Sequence, residues 1–472
     1  MKARFVRGHS LAQLSTEYSW KKRENYLRGD PDWFKIKKFN LKKWFNNPTT
    51  ELNSYVNGHP ARIELTFCQI DGFDLLTAVK HWAKVLTETK QFVRLGDMKN
   101  CPEALSESVV ICIGDDSGQG ATRECLRFVN RPNSNSGSKV FITTLLTRSD
   151  KGISLAQKQK IFEPSFSQLS QLTHLEMGGA VRPVVVFGSS DWEAGFERWG
   201  TQGASATYPN FLCNVKAQHL SQHGASLSAH NHKTSVCVTR SKASFTNDLL
   251  GQVEGLNMGF TSLEDFESHV DLAERTEIER KMRKNGKFHS SVIGRDISGL
   301  KSVDFVCGGD VHNQIGLGND ALQDLYKELE AAKLSHVKTD IKNYLDKSKA
   351  EGGAGCTPAA HHGGAYNGKD IMKVYRNSDN LLELVPEAFE RKSAFKSLMK
   401  TSQVIFETLG LARFLSDEEI SELERNVMFL SDVVHKHFKN RNITLKVPLN
   451  HALIIYIERE IVCVVLHKGS RS

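Results

Sequence analysis

The sequence contains no apolar run of the roughly 18 residues that a membrane-spanning helix needs. Its first ten residues carry three cations and no apolar core, so they do not read as a secretory signal. Its nine cysteines are scattered and odd in number, and none forms a Cys-x-x-Cys pair. That argues against a disulfide framework and for free thiols in a reducing, intracellular compartment. There is no P-loop, no nucleophile-elbow serine and no internal repeat. A lone Gly316-Leu-Gly318 lacks the strand–helix context of a nucleotide loop. Beyond residue 50 there is no net charge either. Residues 1–50 hold twelve lysines and arginines against four acids, which accounts for the whole formal charge of +8.

The charged segment interleaves cations with aromatics. Lys21, Lys22, Arg23, Arg28, Lys35, Lys37, Lys38, Lys42 and Lys43 alternate with Trp20, Tyr26, Trp33, Phe34, Phe39, Trp44 and Phe45. Cations of this kind neutralise phosphates, and aromatic faces stack on bases, so a nucleic acid is the expected partner. The competing reading is a small helical subdomain with an aromatic core and a solvated lysine face. With 472 residues, 39% hydrophobic and 25% charged, the chain is of ordinary globular composition and long enough for about two to four domains. The expected division is 1–50, a mixed α/β or helical region at 51–107, a core at 108–200, and a helical remainder at 201–472.

The core carries the strongest pattern. Val109–Gly114 is a continuous apolar run, as in a strand covered on both faces. Thr122–Asn130 and Lys139–Leu146 read as further strands, with a turn-rich segment between them. Ser154–Leu172 has a helical stripe despite Pro164. Val181–Phe187 is a fourth strand, and Trp192–Trp199 begins another helix. The order β-β-β-α-β-α is that of a ribonuclease-H-like mixed sheet, and a right-handed crossover would place the fourth strand beside the first. Asp116 and Asp191 would then meet at neighbouring strand tips, where two carboxylates can clamp Mg²⁺ or Mn²⁺ ions. Asp115 makes the first assignment ambiguous, because alternation sends 115 and 116 to opposite faces.

Downstream, Cys213, His219, His223, His230, His232 and Cys237 could bind zinc. The two cysteines lack close partners at finger spacing, so ordinary loop histidines are the expected reading. A metal or phosphate role at His361-His362 and the glycines after it is a weaker expectation still. Residues 260–285, Asn319–Lys349 and 385–440 read as helices.

Six phrases, in order, resemble a set found in transposon-derived proteins of nematodes and other invertebrates. They are Ile113–Arg123, Val186–Asp191, Gly203–Pro209, Lys284–Gly294, Asp310–Gly318 and His362–Asp370. The resemblance covers about residues 108–451 and implies a DDE-type transposase with a ribonuclease-H-like core split by a helical insertion. It makes Asp116 and Asp191 the first two acids of a triad, and His312 and the His362 segment supporting positions. It implies DNA as partner and a nuclear location. Two features depart from it. Cys213 belongs to no Cys-x-x-Cys-like pair. The segment after His451 lacks the expected Ser-Glu-Gln-like phrase, with Glu458 and Glu460 in a different context, which reads as a truncated or replaced end. A two-carboxylate site is expected to bind metal weakly and to fail to cleave, which leaves a non-catalytic nucleic-acid-binding or interaction protein as the alternative. The DNA target is not legible, and a homo-oligomer stays open.

Overall fold

The computed structural model describes residues 35–40, 52–56, 59–63, 66–71, 75–118, 121–132, 141–146, 154–189, 192–203, 206–211, 213–216, 240–285, 290–300, 306–307, 310–358, 365–411 and 413–438. The chain divides into two compact units. The first comprises Met1–Phe211, Arg240–Cys307 and Gly469–Ser472, and the second Leu212–Thr239 and Gly308–Lys468. Among the described residues no helix is long and apolar enough to cross a membrane.

The first unit is built on a mixed sheet. Its strands are β1 (Lys35–Asn40), β4 (Thr66–Asp71), β5 (Val109–Gly118), β6 (Ala121–Phe128), β7 (Phe141–Leu146), β8 (His174–Met177), β9 (Ala180–Ser189) and β10 (Val306–Cys307). A separate hairpin is formed by β2 (Leu52–Val56) and β3 (His59–Ile63). The spatial order is β1-β4-β7-β6-β5-β9-β10, with β8 paired to β9. β5, β6 and β7 are antiparallel neighbours, whereas β9 runs parallel to β5 and β10 parallel to β9. A parallel neighbour requires a crossover, and the chain supplies one in α2 (Leu155–Ser170). Ser154 and Gln157 form a capping box that starts this helix, and it continues through Pro164.

α1 (Leu75–Glu88) shows why this sheet has a helical face. Leu75, Ala78, Val79, Trp82, Ala83 and Leu86 recur at helical spacing and are all buried. They join Ile161, Phe162, Phe166 and Leu169 of α2 and the alternating Val109, Ile111 and Ile113 of β5 in one apolar cluster. Trp82 stacks on Phe141 of β7 at 4.1 Å between ring centres. After β9 come α3 (Trp192–Arg198), α4 (Lys242–Gly255), α5 (Leu263–His269) and α6 (Leu272–Asn285).

The structure alters several expected boundaries. β5 runs four residues past Gly114, so Asp115 and Asp116 lie inside the strand, opposite Glu124 and Arg123 of β6. They are at a tip only with respect to β9, whose ladder with β5 ends at the pair Ile113–Gly188. β8 is an unexpected strand. It is joined to β9 by Gly178 and Gly179, both at positive φ, the two-residue turn that matches strand twist. Lys35–Asn40, within the basic segment, is a strand hydrogen-bonded to β4. The region expected as mixed α/β or helical at 51–107 is mixed, holding β2, β3, β4 and α1. The helix expected over 260–285 is broken between α5 and α6.

The second unit is helical in its described residues: α7 (Asp310–Ala331), α8 (Ser335–Asp346), α9 (Gly368–Arg376), α10 (Ser378–Glu383), α11 (Lys392–Leu409) and α12 (Asp417–His437). The long run expected over 319–349 is two helices, turned at Lys333 with a φ of 60°. Leu325, Leu329, Ile341, Ile371, Phe395, Leu398 and Val427 belong to its core. Arg391 closes one end. It pairs with Glu328, donates to the His437 carbonyl and lies 4.4 Å from the Phe438 ring centre. Gly316 and Gly318 are inside α7, so the Gly-x-Gly phrase is not a phosphate loop. A side chain at Gly318 would run into Ile371, so this glycine lets α7 and α9 approach closely.

The tightest constraint in the sheet is at Gly114, where a Cβ would overlap the Ser189 carbonyl oxygen of β9. Gly114→Ala is expected to push β5 and β9 apart and to lower stability by about 1–3 kcal/mol or more, as overpacking does. Urea unfolding of the variant checks this. An unchanged midpoint would remove the close approach.

Candidate functional site

The end of the β5–β9 ladder is where chemistry-bearing residues gather. Hydrogen-bonded parallel strands lie about 4.8 Å apart, and here every paired position differs by 75, from Val109–Val184 to Ile113–Gly188. Three residues further on, the sequence places acids on both strands' continuations: Asp116 in β5 and Asp191 after β9. The backbone of Asp116 is described, paired with Arg123, but its side chain is not. Asp191 lies outside the described residues.

Asp115 has a different role. Its side chain is 7% exposed and forms an ion pair with Arg198, itself 5% exposed, at the last position of α3. The Arg198 guanidinium lies 4.5 Å from the Phe166 ring centre, a cation–π contact in a dry setting. Burial pulls the Arg198 guanidinium down to about 9. An interaction with Cys112 opposes that pull. The arginine backbone is held too, its carbonyl accepting from Ile297 N–H at 2.9 Å. Asp115 is thus committed to a structural pair.

A second buried acid stands opposite Asp115. Glu124 is fully buried and accepts hydrogen bonds from the hydroxyls of Thr143 at 2.5 Å and Thr144 at 2.9 Å. Both threonines reach it because the β6–β7 register shifts between Glu124 and Cys125, a β-bulge. Glu124 and Arg198 were missed from sequence. The signal for Glu124 was present: it shares strand parity with Leu126 and Phe128, both buried, and so falls on the core-facing side. Nothing local marks Arg198, because its partner lies on a strand distant in the sequence.

The wall beyond α3 is polar and well connected. Lys158 of α2 pairs with Glu197, and Gln159 donates to the Glu197 carbonyl at 3.1 Å and the Arg295 carbonyl at 2.6 Å. Glu279 of α6 accepts from Ala156 N–H at 3.2 Å, and Ser154 meets Thr276 at 3.1 Å. These bonds dock the segment 240–300 onto the start of the crossover helix.

Of the expected basic contacts, Lys35, Lys37 and Lys38 lie in β1, with only their backbone described. Lys21, Lys22, Arg23, Arg28, Lys42 and Lys43 lie outside the described residues, as do His219, His223, His230, His232, Cys237, His361, His362, Glu458 and Glu460. Cys213 is fully buried. Asp310 and His312 sit in the first turn of α7, side chains undescribed. Among the described residues no group of three or more His, Cys, Asp or Glu side chains is arranged to hold a metal. No protein-family model matches the chain, and no curated protein matches it in sequence.

Removing one partner from a buried ion pair strands the other charge, at a cost of about 3–5 kcal/mol, whereas replacing both with apolar residues is often neutral. Arg198→Met is therefore expected to lower stability by about that amount. Asp115→Leu combined with Arg198→Met should return the urea midpoint close to wild type. Equal loss in the single and double variants would show that the pair is not what holds α3 to β5.

Proposed function

We propose that this chain is a transposase-derived nucleic-acid-binding protein with a ribonuclease-H-like core. The observation that carries the reading is the shared offset: Asp116 and Asp191 differ by 75, as do all the paired residues of the parallel β5–β9 ladder. The strand sequence supports it, since three antiparallel strands, a crossover helix and a fourth strand parallel to the first is the ribonuclease-H-like order. The pairing of Asp115 with Arg198 supports Asp116 as the site acid of the two adjacent aspartates.

Asp116 and Asp191 are the residues that would hold Mg²⁺ or Mn²⁺. Such ions activate an attacking water or hydroxyl and stabilise the leaving oxygen of a phosphodiester. Two carboxylates alone hold a divalent ion weakly, so binding is the primary activity in this reading, and cleavage or strand transfer depends on a third acid. The basic, aromatic-rich segment at 1–50 supplies phosphate contacts and stacking. DNA is the expected nucleic acid, with the nucleus as its setting.

Because β1 belongs to the sheet, deleting residues 1–50 would damage the fold as well as the DNA interface. The better test neutralises Lys21, Lys22, Arg23, Arg28, Lys42 and Lys43 to Gln. DNA affinity, read by fluorescence anisotropy over a salt series, should fall. The slope of log affinity against log salt should shrink by about 0.9 for each phosphate that the variant no longer neutralises. An unchanged slope would exclude this segment from the interface. Incubation of supercoiled DNA with Mn²⁺ addresses the chemistry. Nicking that disappears in Asp116→Ala and in Asp191→Ala assigns it to these residues, and nicking that persists in both removes the site. Tight binding with no nicking by the wild type marks a non-catalytic nucleic-acid-binding protein.

A further inference from the structure

We infer that the C-terminal half of α6 is a second phosphate-contacting surface, a cationic stripe of Arg280, Lys281 and Lys284 that lies along the backbone of a DNA duplex. This rests on the nucleic-acid reading given above and is independent of the two aspartates. α6 places four cations in five residues, Arg280, Lys281, Arg283 and Lys284, and all four are exposed. Lys281 and Lys284 lie three residues apart, and Arg280 and Lys284 four, so the three share one face of the helix with Glu277. The other face is docked. Ile278 and Met282 are buried, and the buried Glu279 accepts from the Ala156 N–H of α2 at 3.2 Å. Thr276 meets Ser154 at 3.1 Å, and Gln202 donates to the Arg283 carbonyl at 2.6 Å near the end of the helix. The stripe thus stands on a helix whose opposite side is fixed.

The charge of this face is only partly used within the protein. Arg280 pairs with Glu277 at 2.6 Å and Arg283 with Glu279 at 2.8 Å. Among the described residues Lys281 and Lys284 have no ion pair. The Glu277 carboxyl is held below its ordinary range by the hydrogen bond from Arg280 and by the fields of Arg280, Lys281 and Lys284. One acid therefore serves three cations, and the stripe keeps a surplus of two positive charges. The helix macrodipole favours cations in the last turn. That accounts for Arg283 and Lys284, which lie there, and leaves Arg280 and Lys281 unexplained. A polyanion accounts for all of them. At about 1.5 Å per residue, Arg280 to Lys284 spans about 6 Å of helix axis. Phosphates on one DNA strand recur about every 3.4 Å along the duplex, so the stripe matches about two. The exposed Arg280–Glu277 pair contributes little to stability, and exchanging it for a phosphate costs little.

The test is binding of a fluorescently labelled DNA duplex to the full chain, read by anisotropy over a salt series, with unfolding midpoints measured alongside. Changing Arg280, Lys281 and Lys284 together to Gln should shrink the slope of log affinity against log salt by about 1.8, for two phosphates at about 0.9 each. Affinity near 0.15 M salt should fall roughly thirtyfold, and the midpoint should stay close to wild type. Lys80, Lys84 and Lys99, all exposed in the same unit, are changed to Gln as the control. That variant loses the same charge and should keep the wild-type slope. An equal fall in both variants would show a general field and overturn the stripe. A wild-type slope and affinity in the α6 variant, with loss in the variant neutralised within residues 1–50, would overturn the stripe and leave the nucleic-acid reading standing. No binding by the wild type would overturn both. Should the α6 variant not fold, Lys281→Gln with Lys284→Gln is read in its place, since it breaks no ion pair. Its slope should shrink by about 0.9 or more, and an unchanged slope would refute the inference.

Discussion

The first unit depends on how closely β5 and β9 can run together at the end of their shared ladder. Parallel pairing places the two chains at hydrogen-bonding distance, and only a glycine at 114 admits the Ser189 carbonyl there. Everything beyond that point follows from it. After β9 comes a short helix, whose last residue Arg198 reaches Asp115 of β5. The sheet face beneath is closed by α1 and α2, whose apolar stripes meet the alternate residues of β5. Among the described residues, buried charge in this interior is paired or hydrogen-bonded at Asp115, with Arg198, and at Glu124, with two threonine hydroxyls.

Asp115 is spent on architecture through its pair with Arg198, and the buried Glu124 on β6, seated at a β-bulge, is held by two threonine hydroxyls. The segment at 240–300 adds to this frame through Glu279, Thr276 and Arg295, which hold the N-terminal turns of α2. In the second unit the same economy appears in helical form, with Arg391 linking Glu328, the end of α12 and two aromatic rings.

Much of the first unit was legible in the sequence. The apolar run at Val109, the turn-rich segment after Asn130 and the stripe of α2 gave the elements in their right order. β8 was not seen, although the Gly178-Gly179 pair between alternating residues is a hairpin signal. The helix breaks at 270–271 and 332–334 were not seen because neither contains proline or glycine. Gly318 was read as part of a weak loop motif, when its role is to let one helix touch another.

The sequence by itself determined four strands of the sheet, β5, β6, β7 and β9, the concentration of positive charge in its first tenth, and two aspartates separated by 75 residues. These are local or arithmetic properties, set by periodicity and spacing. Only the tertiary structure decided that 75 is also the offset of the β5–β9 ladder. It also decided that Asp115 belongs to Arg198 and that Asp116 lies within a strand. Each of these depends on which distant residue arrives at the same place, and a strand's pattern fixes what it can bury without naming its neighbour. The pair that holds the end of the ladder joins residues 83 positions apart in the chain, so no window of sequence contains it.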